Sequence, residues 1–212
     1  MIPIAVPLTM AAVFIGLRRC VSARTAYNAG FAIYWLGWCL SVPAWVLGPR
    51  NAVRLVMTGR RLPRDRLILL ALPIAGAVGT QLIPRRREVD MPTAVTMVGT
   101  ALINAVGEEL LWRGVFMRET HRRPWLSQIW SLTGFATWHF APQLILPSQL
   151  GRGRFVAGSA AVGFVSTAAA WASGGLRQVV AAHAMTDACG VTAARFRLGR
   201  VSPRTSAPSE TA

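Results

Sequence analysis

Two adjacent carboxylates and an arginine interrupt an otherwise apolar stretch of this chain. Glu108, Glu109 and Arg113 lie within residues 91–117, and the whole sequence has only eight acidic residues. An ionisable group near the centre of a bilayer costs about 2.5–3.5 kcal/mol on insertion scales. Such a group is therefore interpreted first as part of a functional site, and its partners are expected on other apolar segments.

The spacing within this motif separates the two carboxylates. Residues four apart on a helix share a face, so Glu109 and Arg113 can pair and neutralise each other. Glu108 is rotated by about 100° from Glu109 and is left free to point elsewhere. The alternative is a helix end at the lipid head groups, with all three charges in water. The apolar side chains that follow, up to residue 117, favour the buried arrangement.

Two further pairs with the same spacing lie on later apolar segments: Phe135 with His139, and His183 with Asp187. A single histidine in a membrane segment often only forms a hydrogen bond between helices. A His–Asp pair can join two helices in the same way. Together with Glu108, however, these groups form a set that can activate water. It could do so by general-base catalysis or by holding a metal hydroxide.

The composition indicates that these ionisable side chains belong to a membrane protein. The chain has 212 residues, of which 53% are hydrophobic and 15% charged, and a mean hydropathy of +0.41. The chain is therefore more apolar and less charged than an ordinary soluble domain. We predict an all-α, polytopic membrane helical bundle of about seven transmembrane helices. Trp35, Trp38 and Trp45 are candidate interfacial anchors. The predicted spans are residues 2–17, 30–47, 67–83, 91–117, 125–141, 155–172 and 176–196.

We expect one membrane domain over residues 1–197, with the motifs in residues 67–195, and a disordered tail over residues 198–212. In residues 155–172, Ser159, Gly163 and Thr167 form a ridge of small residues that would let another helix approach closely. The three cysteines show no disulfide pattern.

The net charge of +15 comes from arginine alone, without lysine. The arginines lie between the apolar segments, where they would contact the anionic head groups of the lipid bilayer, so we expect no nucleic-acid partner. Arginine-rich loops on both sides of residues 30–47 leave the membrane orientation open.

The motifs in this order resemble the type II CAAX prenyl protease family, whose bacterial branch is also called the CPBP or ABI (bacteriocin-immunity) family of intramembrane proteases. They are Glu108-Glu109-xxx-Arg113, Phe135-xxx-His139 and His183-xxx-Asp187. The resemblance implies a multi-pass endopeptidase of a bacterial inner or plasma membrane, with a polar intramembrane cavity, acting on a membrane-associated protein or peptide. The rival functions are a non-catalytic immunity or scaffold protein and a small proton-coupled transporter.

The resemblance also implies roles for the residues. Glu108 and His139 would activate water, while Glu109, Arg113 and Phe135 would support the geometry. His183 and Asp187 would stabilise the oxyanion or complete a metal site. Familiar relatives have Asn at the position of Asp187, and an ionised Asp cannot donate a hydrogen bond to an oxyanion.

The cofactor stays open between none and zinc, with His139, His183 and Asp187 as the candidate zinc ligands. Without a metal, Asp187 is expected to fix the tautomer of His183.

Overall fold

The computed structural model describes residues 1–118, 123–148, 151–190 and 195–198, and within these ranges the chain is helical and has no strand. This confirms the predicted all-α class. The helices, in chain order, are α1 Ile2–Cys20, α2 Ala23–Leu47, α3 Pro49–Met57, α4 Arg64–Glu88, α5 Met91–Arg118, α6 Pro124–Trp138, α7 Phe140–Gln143, α8 Arg152–Ser173, α9 Arg177–Cys189 and α10 Arg195–Leu198.

Five helices of the described part are long and apolar enough to cross a membrane: α1, α2, α4, α5 and α8. The other two predicted spans contain the shorter helices α6, with 15 residues, and α9, with 13. At 1.5 Å per residue these are about 23 and 20 Å long, less than the roughly 30 Å of a hydrocarbon core. Apart from Leu198, which ends α10, the predicted tail lies outside the described residues.

Helix α5 carries the glutamate pair and is locally irregular beside it. The Asp90 side chain caps its first turn by accepting a hydrogen bond from the backbone N–H of Thr93 at 2.9 Å. A π-helical turn, Leu110–Gly114, begins directly after Glu109, and all five of its residues are buried. A second π-helical turn, Tyr34–Leu40, lies in α2. Turns of this type are frequent at functional sites because they alter which side chains share a face.

The packing places α5 at the centre, against α9 and α2. Helix α6 packs against α8 and α1, and α4 covers α9 and α8 from outside. An aromatic core that includes Phe14, Tyr34, Trp112 and Trp138 fills the space between α1, α2, α5 and α6. The apolar side chains of α4 are mostly exposed, as expected for a helix that faces lipid.

The three tryptophans proposed as interfacial anchors differ in the structure. Trp45 is 83% exposed, as an anchor would be. Trp35 and Trp38 instead pack against the aromatic core. Trp35 also donates its indole N–H to Asn104 at 3.0 Å, so it belongs to the interior rather than to the interface.

Candidate active site

Glu108 is fully buried, and its two carboxylate oxygens have different environments. Oε1 accepts hydrogen bonds from Trp138 Nε1 at 2.6 Å and from the Tyr34 hydroxyl at 3.1 Å. The Tyr34 hydroxyl is itself oriented by Trp112 Nε1, which donates to it at 2.9 Å. Oε2 has no hydrogen-bond partner among the described residues. One oxygen therefore fixes the carboxylate, and the other keeps its lone pairs available.

Glu109 pairs with Arg113, as the spacing predicted. Arg113 Nη1 lies 3.1 Å from Glu109 Oε1, and both side chains are 0% exposed. The guanidinium also donates to Gly163 O at 3.1 Å and to Thr167 Oγ1 at 3.4 Å, both on α8. The Cζ atom of Arg113 lies 4.1 Å from the centre of the Phe135 ring. Arg113 thus connects α5 to α8 and α6 while it neutralises Glu109.

His183 lies between the carboxylates. Its Nδ1 is 2.8 Å from Glu109 Oε1. Because a carboxylate accepts, Nδ1 is the donor to Glu109. Nε2 lies 3.6 Å from both Glu108 Oε2 and Asp187 Oδ2. The ring is therefore held by Glu109, and not by Asp187 as we expected for a metal-free site, because the shorter contact across the helix interface takes Nδ1.

Asp187 is positioned by a chain of hydrogen bonds instead. Asn104 Nδ2 donates to Asp187 Oδ2 at 2.9 Å, and Asn104 Oδ1 accepts from Trp35 Nε1 at 3.0 Å. The amide of Asn104 is held at both ends, so its donor side faces the carboxylate.

His139 occupies the end of α6. Its Nδ1 lies 2.6 Å from the carbonyl oxygen of Phe135, one turn earlier, so Nδ1 donates and Nε2 is left as an acceptor. The ring also lies edge-on to Phe135, with centroids 4.6 Å apart. Unlike His183, it forms no ion pair with a carboxylate in the described part of the chain.

Two adjoining cavities contain these groups. A small one of about 60 Å³ is lined by Glu108, His139 and Asp187, among others, and its volume can admit water. A larger one of about 490 Å³ is lined by His139, His183 and Asp187 together with apolar residues of α4 and α8. His139 and Asp187 belong to both. Glu108 on α5, His139 at the end of α6 and His183 on α9 are thus brought together, but around two adjoining cavities rather than one.

Residues 90–189 match the family model described as type II CAAX prenyl endopeptidase Rce1-like. The predicted resemblance is therefore confirmed over this part of the chain, which contains all three motifs. No curated protein and no solved structure matched the chain. Tyr34 and Trp35, which hold Glu108 and Asn104, lie outside the matched range.

The predicted zinc ligands do not form a metal centre in this arrangement. Within the described residues, no three His, Cys, Asp or Glu side chains form a group that could hold a metal ion. His183 Nε2 does lie 3.6 Å from both Glu108 Oε2 and Asp187 Oδ2. However, Asp187 Oδ2 already accepts from Asn104, and the described hydrogen bond of His139 goes to Phe135 O rather than to these atoms. The described contacts therefore do not support zinc ligation by His139, His183 and Asp187.

Sequence reasoning missed the residues that orient the carboxylates: Tyr34, Asn104, Trp112 and Trp138. Asn104 precedes Glu108 by four positions, so its polar side chain on the same helix face was a usable signal. The aromatic residues gave no such signal. In a membrane segment the sequence does not distinguish them from core residues, and only the structure shows a buried acceptor beside them.

An Asn104→Asp substitution tests whether this amide positions Asp187. It puts a carboxylate where an amide now donates at 2.9 Å. We expect a loss of at least about 2 kcal/mol in unfolding free energy, from the lost charge-assisted hydrogen bond and the new repulsion. Thermal unfolding of purified protein measures it. Adding Asp187→Asn exchanges the two side chains and should restore most of the stability. Equal stability of the single and double variants would contradict the assignment.

Gly163→Ala tests the small-residue ridge of α8. A Cβ at Gly163 would lie 2.8 Å from Phe135 Cδ1, below any normal contact. The Phe135 ring is confined by Arg113, so we expect a destabilisation of about 1–3 kcal/mol. The matched control is Gly153→Ala on the same helix, where a Cβ meets nothing within 4 Å. The control should be neutral or stabilising, because Ala favours helix over Gly. Equal melting temperatures would refute the close packing.

Proposed function

We propose that this protein is a membrane-embedded endopeptidase that hydrolyses peptide bonds of a membrane-associated protein or peptide. The observation that supports the proposal best is the buried Glu108 carboxylate within a segment that matches a protease family. Its Oε1 is fixed by two donors, its Oε2 has no partner among the described residues, and Glu108 lines a cavity wide enough for water. A carboxylate held in this way is suited to act as a general base.

The proposed reaction uses Glu108 as the proton carrier. Glu108 Oε2 takes a proton from water, and the oxygen of that water forms a bond to the carbonyl carbon of the substrate. The electron pair of the C=O bond moves to oxygen. When the tetrahedral intermediate collapses, the C–N bond breaks and Glu108 returns the proton to the amine nitrogen. The products are a carboxylic acid and an amine.

The two histidines take separate parts in this scheme. His183 is held at Nδ1 by Glu109, and its Nε2 lies 3.6 Å from Glu108 Oε2, beside the proposed base. His139 offers Nε2 as an acceptor to the water or to a substrate N–H. Arg113 acts through Glu109, so we assign it a structural role.

The larger cavity favours an apolar substrate segment. Its walls include Leu69, Leu72 and Phe155, and it adjoins the polar residues of the small cavity. An apolar chain reaching the site from the lipid side would meet these walls before it meets His183 and Asp187. The setting we propose is a bacterial inner or plasma membrane. Bacteria are not expected to make prenylated CAAX proteins, so the eukaryotic substrate class is not proposed.

The test is cleavage of a library of membrane-spanning and membrane-associated peptides by the purified protein, with products identified by mass spectrometry. The wild type should yield defined new termini, and the Glu108→Gln variant should yield none above background. A wild-type protein that binds such peptides but leaves them intact would favour a non-catalytic binding protein instead.

A further inference from the structure

Gln143 is a buried amide whose donor group has no partner. It ends α7, four residues after His139, and is 1% exposed. Its Oε1 accepts a hydrogen bond from the backbone N–H of Ser148 at 2.6 Å. This contact fixes which end of the amide is oxygen, because a nitrogen there would face another donor. Nε2 has no hydrogen-bond partner in the described part of the chain.

The unpartnered amide lines the same small cavity as the proposed base. Glu108 and Gln143 are both among the residues around the space of about 60 Å³. Each of these two lining residues has one polar atom without a partner: the acceptor Glu108 Oε2 and the donor Gln143 Nε2. Buried polar groups are almost always hydrogen-bonded, so a donor and an acceptor left open at one cavity point to a ligand with both functions.

The developing negative charge on the carbonyl oxygen needs a hydrogen-bond donor. An ionised Asp187 can only accept, and His183 Nδ1 already donates to Glu109. The Asn104 amide already donates to Asp187, and the indole N–H of Trp138 already donates to Glu108. Gln143 is the side-chain amide in this lining that is still free to donate.

We propose that Gln143 is a further catalytic residue, whose Nε2 donates a hydrogen bond to the carbonyl oxygen of the scissile peptide bond. The proposal rests on the proposed hydrolysis. As the water oxygen bonds to the carbonyl carbon, the C=O electron pair moves onto oxygen, and Gln143 stabilises that negative charge. The charge returns to the C=O bond when the C–N bond breaks and the amine takes the proton from Glu108. Gln143 itself neither gains nor loses a proton.

The first experiment compares Gln143→Leu with a matched control in the peptide-cleavage assay. Loss of one oxyanion donor lowers kcat by about 10²–10³-fold, and KM should change little because the contact strengthens in the transition state. The control is Gln128→Leu on α6, outside both cavities, which should keep wild-type kinetics. If Gln143→Leu does not fold, Gln143→Glu retains the acceptor for Ser148 but lacks the donor. A kcat unchanged in the folded variant overturns the proposal.

The second experiment is a rescue that a structural role would not produce. Asn at position 187 can accept from Asn104 through its oxygen and still donate through its nitrogen. Adding Asp187→Asn to Gln143→Leu should therefore recover kcat at least about tenfold. A loss that the double variant does not recover overturns the catalytic assignment of Gln143. If the wild type cleaves nothing, or Glu108→Gln cleaves normally, the proposed hydrolysis fails and this inference fails with it.

Discussion

The Glu108→Gln variant is expected to lose peptide cleavage while it keeps its fold. The amide oxygen of Gln can still accept from Trp138 Nε1 and from the Tyr34 hydroxyl, which now hold Glu108 Oε1. The amide nitrogen that replaces Oε2 has no lone pair basic enough to take a proton from water. Loss of general-base catalysis alone accounts for about 10²–10⁴-fold in rate. Product formation followed by mass spectrometry measures it.

The control exchanges another carboxylate for an amide. Asp65→Asn alters an exposed side chain at the start of α4, paired only with its neighbour Arg66 among the described contacts. It should cleave at the wild-type rate, and both variants should melt at the wild-type temperature within a few degrees. If Glu108→Gln cleaves as fast as Asp65→Asn, the base has been assigned to the wrong residue.

The local part of this site could be predicted because helical periodicity is a local property. Charged groups within an apolar stretch indicated the motif, and a spacing of four predicted the pair of Glu109 and Arg113 found at 3.1 Å. The apolar stretches likewise predicted an all-α membrane bundle. These inferences need nothing beyond the positions of residues along one helix.

Contacts between helices could not be predicted in the same way. The spacing of four made Asp187 the expected partner of His183, yet the packing of α5 against α9 gives Nδ1 to Glu109 at 2.8 Å. Tyr34 is 74 residues away from Glu108 in sequence, and only the tertiary fold brings its hydroxyl to that carboxylate. Spacing selects candidates for a contact, and packing decides among them.

The ends of helices were a second feature that could not be predicted from the sequence. Residues 125–141 were predicted as one span because they are apolar up to Pro142. The α-helix already ends at Trp138, and the backbone N–H of His139 bonds three residues back, to Ala136 O at 3.3 Å. Pro142 has no N–H to continue the helical pattern from Trp138. The hydropathy of the segment does not reveal this break. His139 and Gln143, on either side of Pro142, both line the small cavity.

Arg113→Ala is expected to cause the largest loss of stability. Arg113 and Glu109 are both fully buried, and removing one partner of a buried ion pair leaves an uncompensated charge at a cost of about 3–5 kcal/mol. The variant also removes the hydrogen bonds to Gly163 O and Thr167 Oγ1. We expect less folded protein in the membrane fraction and a markedly lower melting temperature. The control, Arg24→Ala, removes an exposed arginine of α2 and should change the unfolding free energy by no more than about 0.5 kcal/mol.

A double variant separates the buried charge from the lost contacts. Glu109→Gln added to Arg113→Ala removes the uncompensated carboxylate, while Gln can still accept from His183 Nδ1. If the charge dominates, the double variant is more stable than Arg113→Ala, and the two substitutions are strongly non-additive. The hydrogen bonds to α8 dominate if the second substitution brings no recovery. A melting temperature of Arg113→Ala equal to that of Arg24→Ala would refute both contributions and remove Arg113 from the structural core of the site.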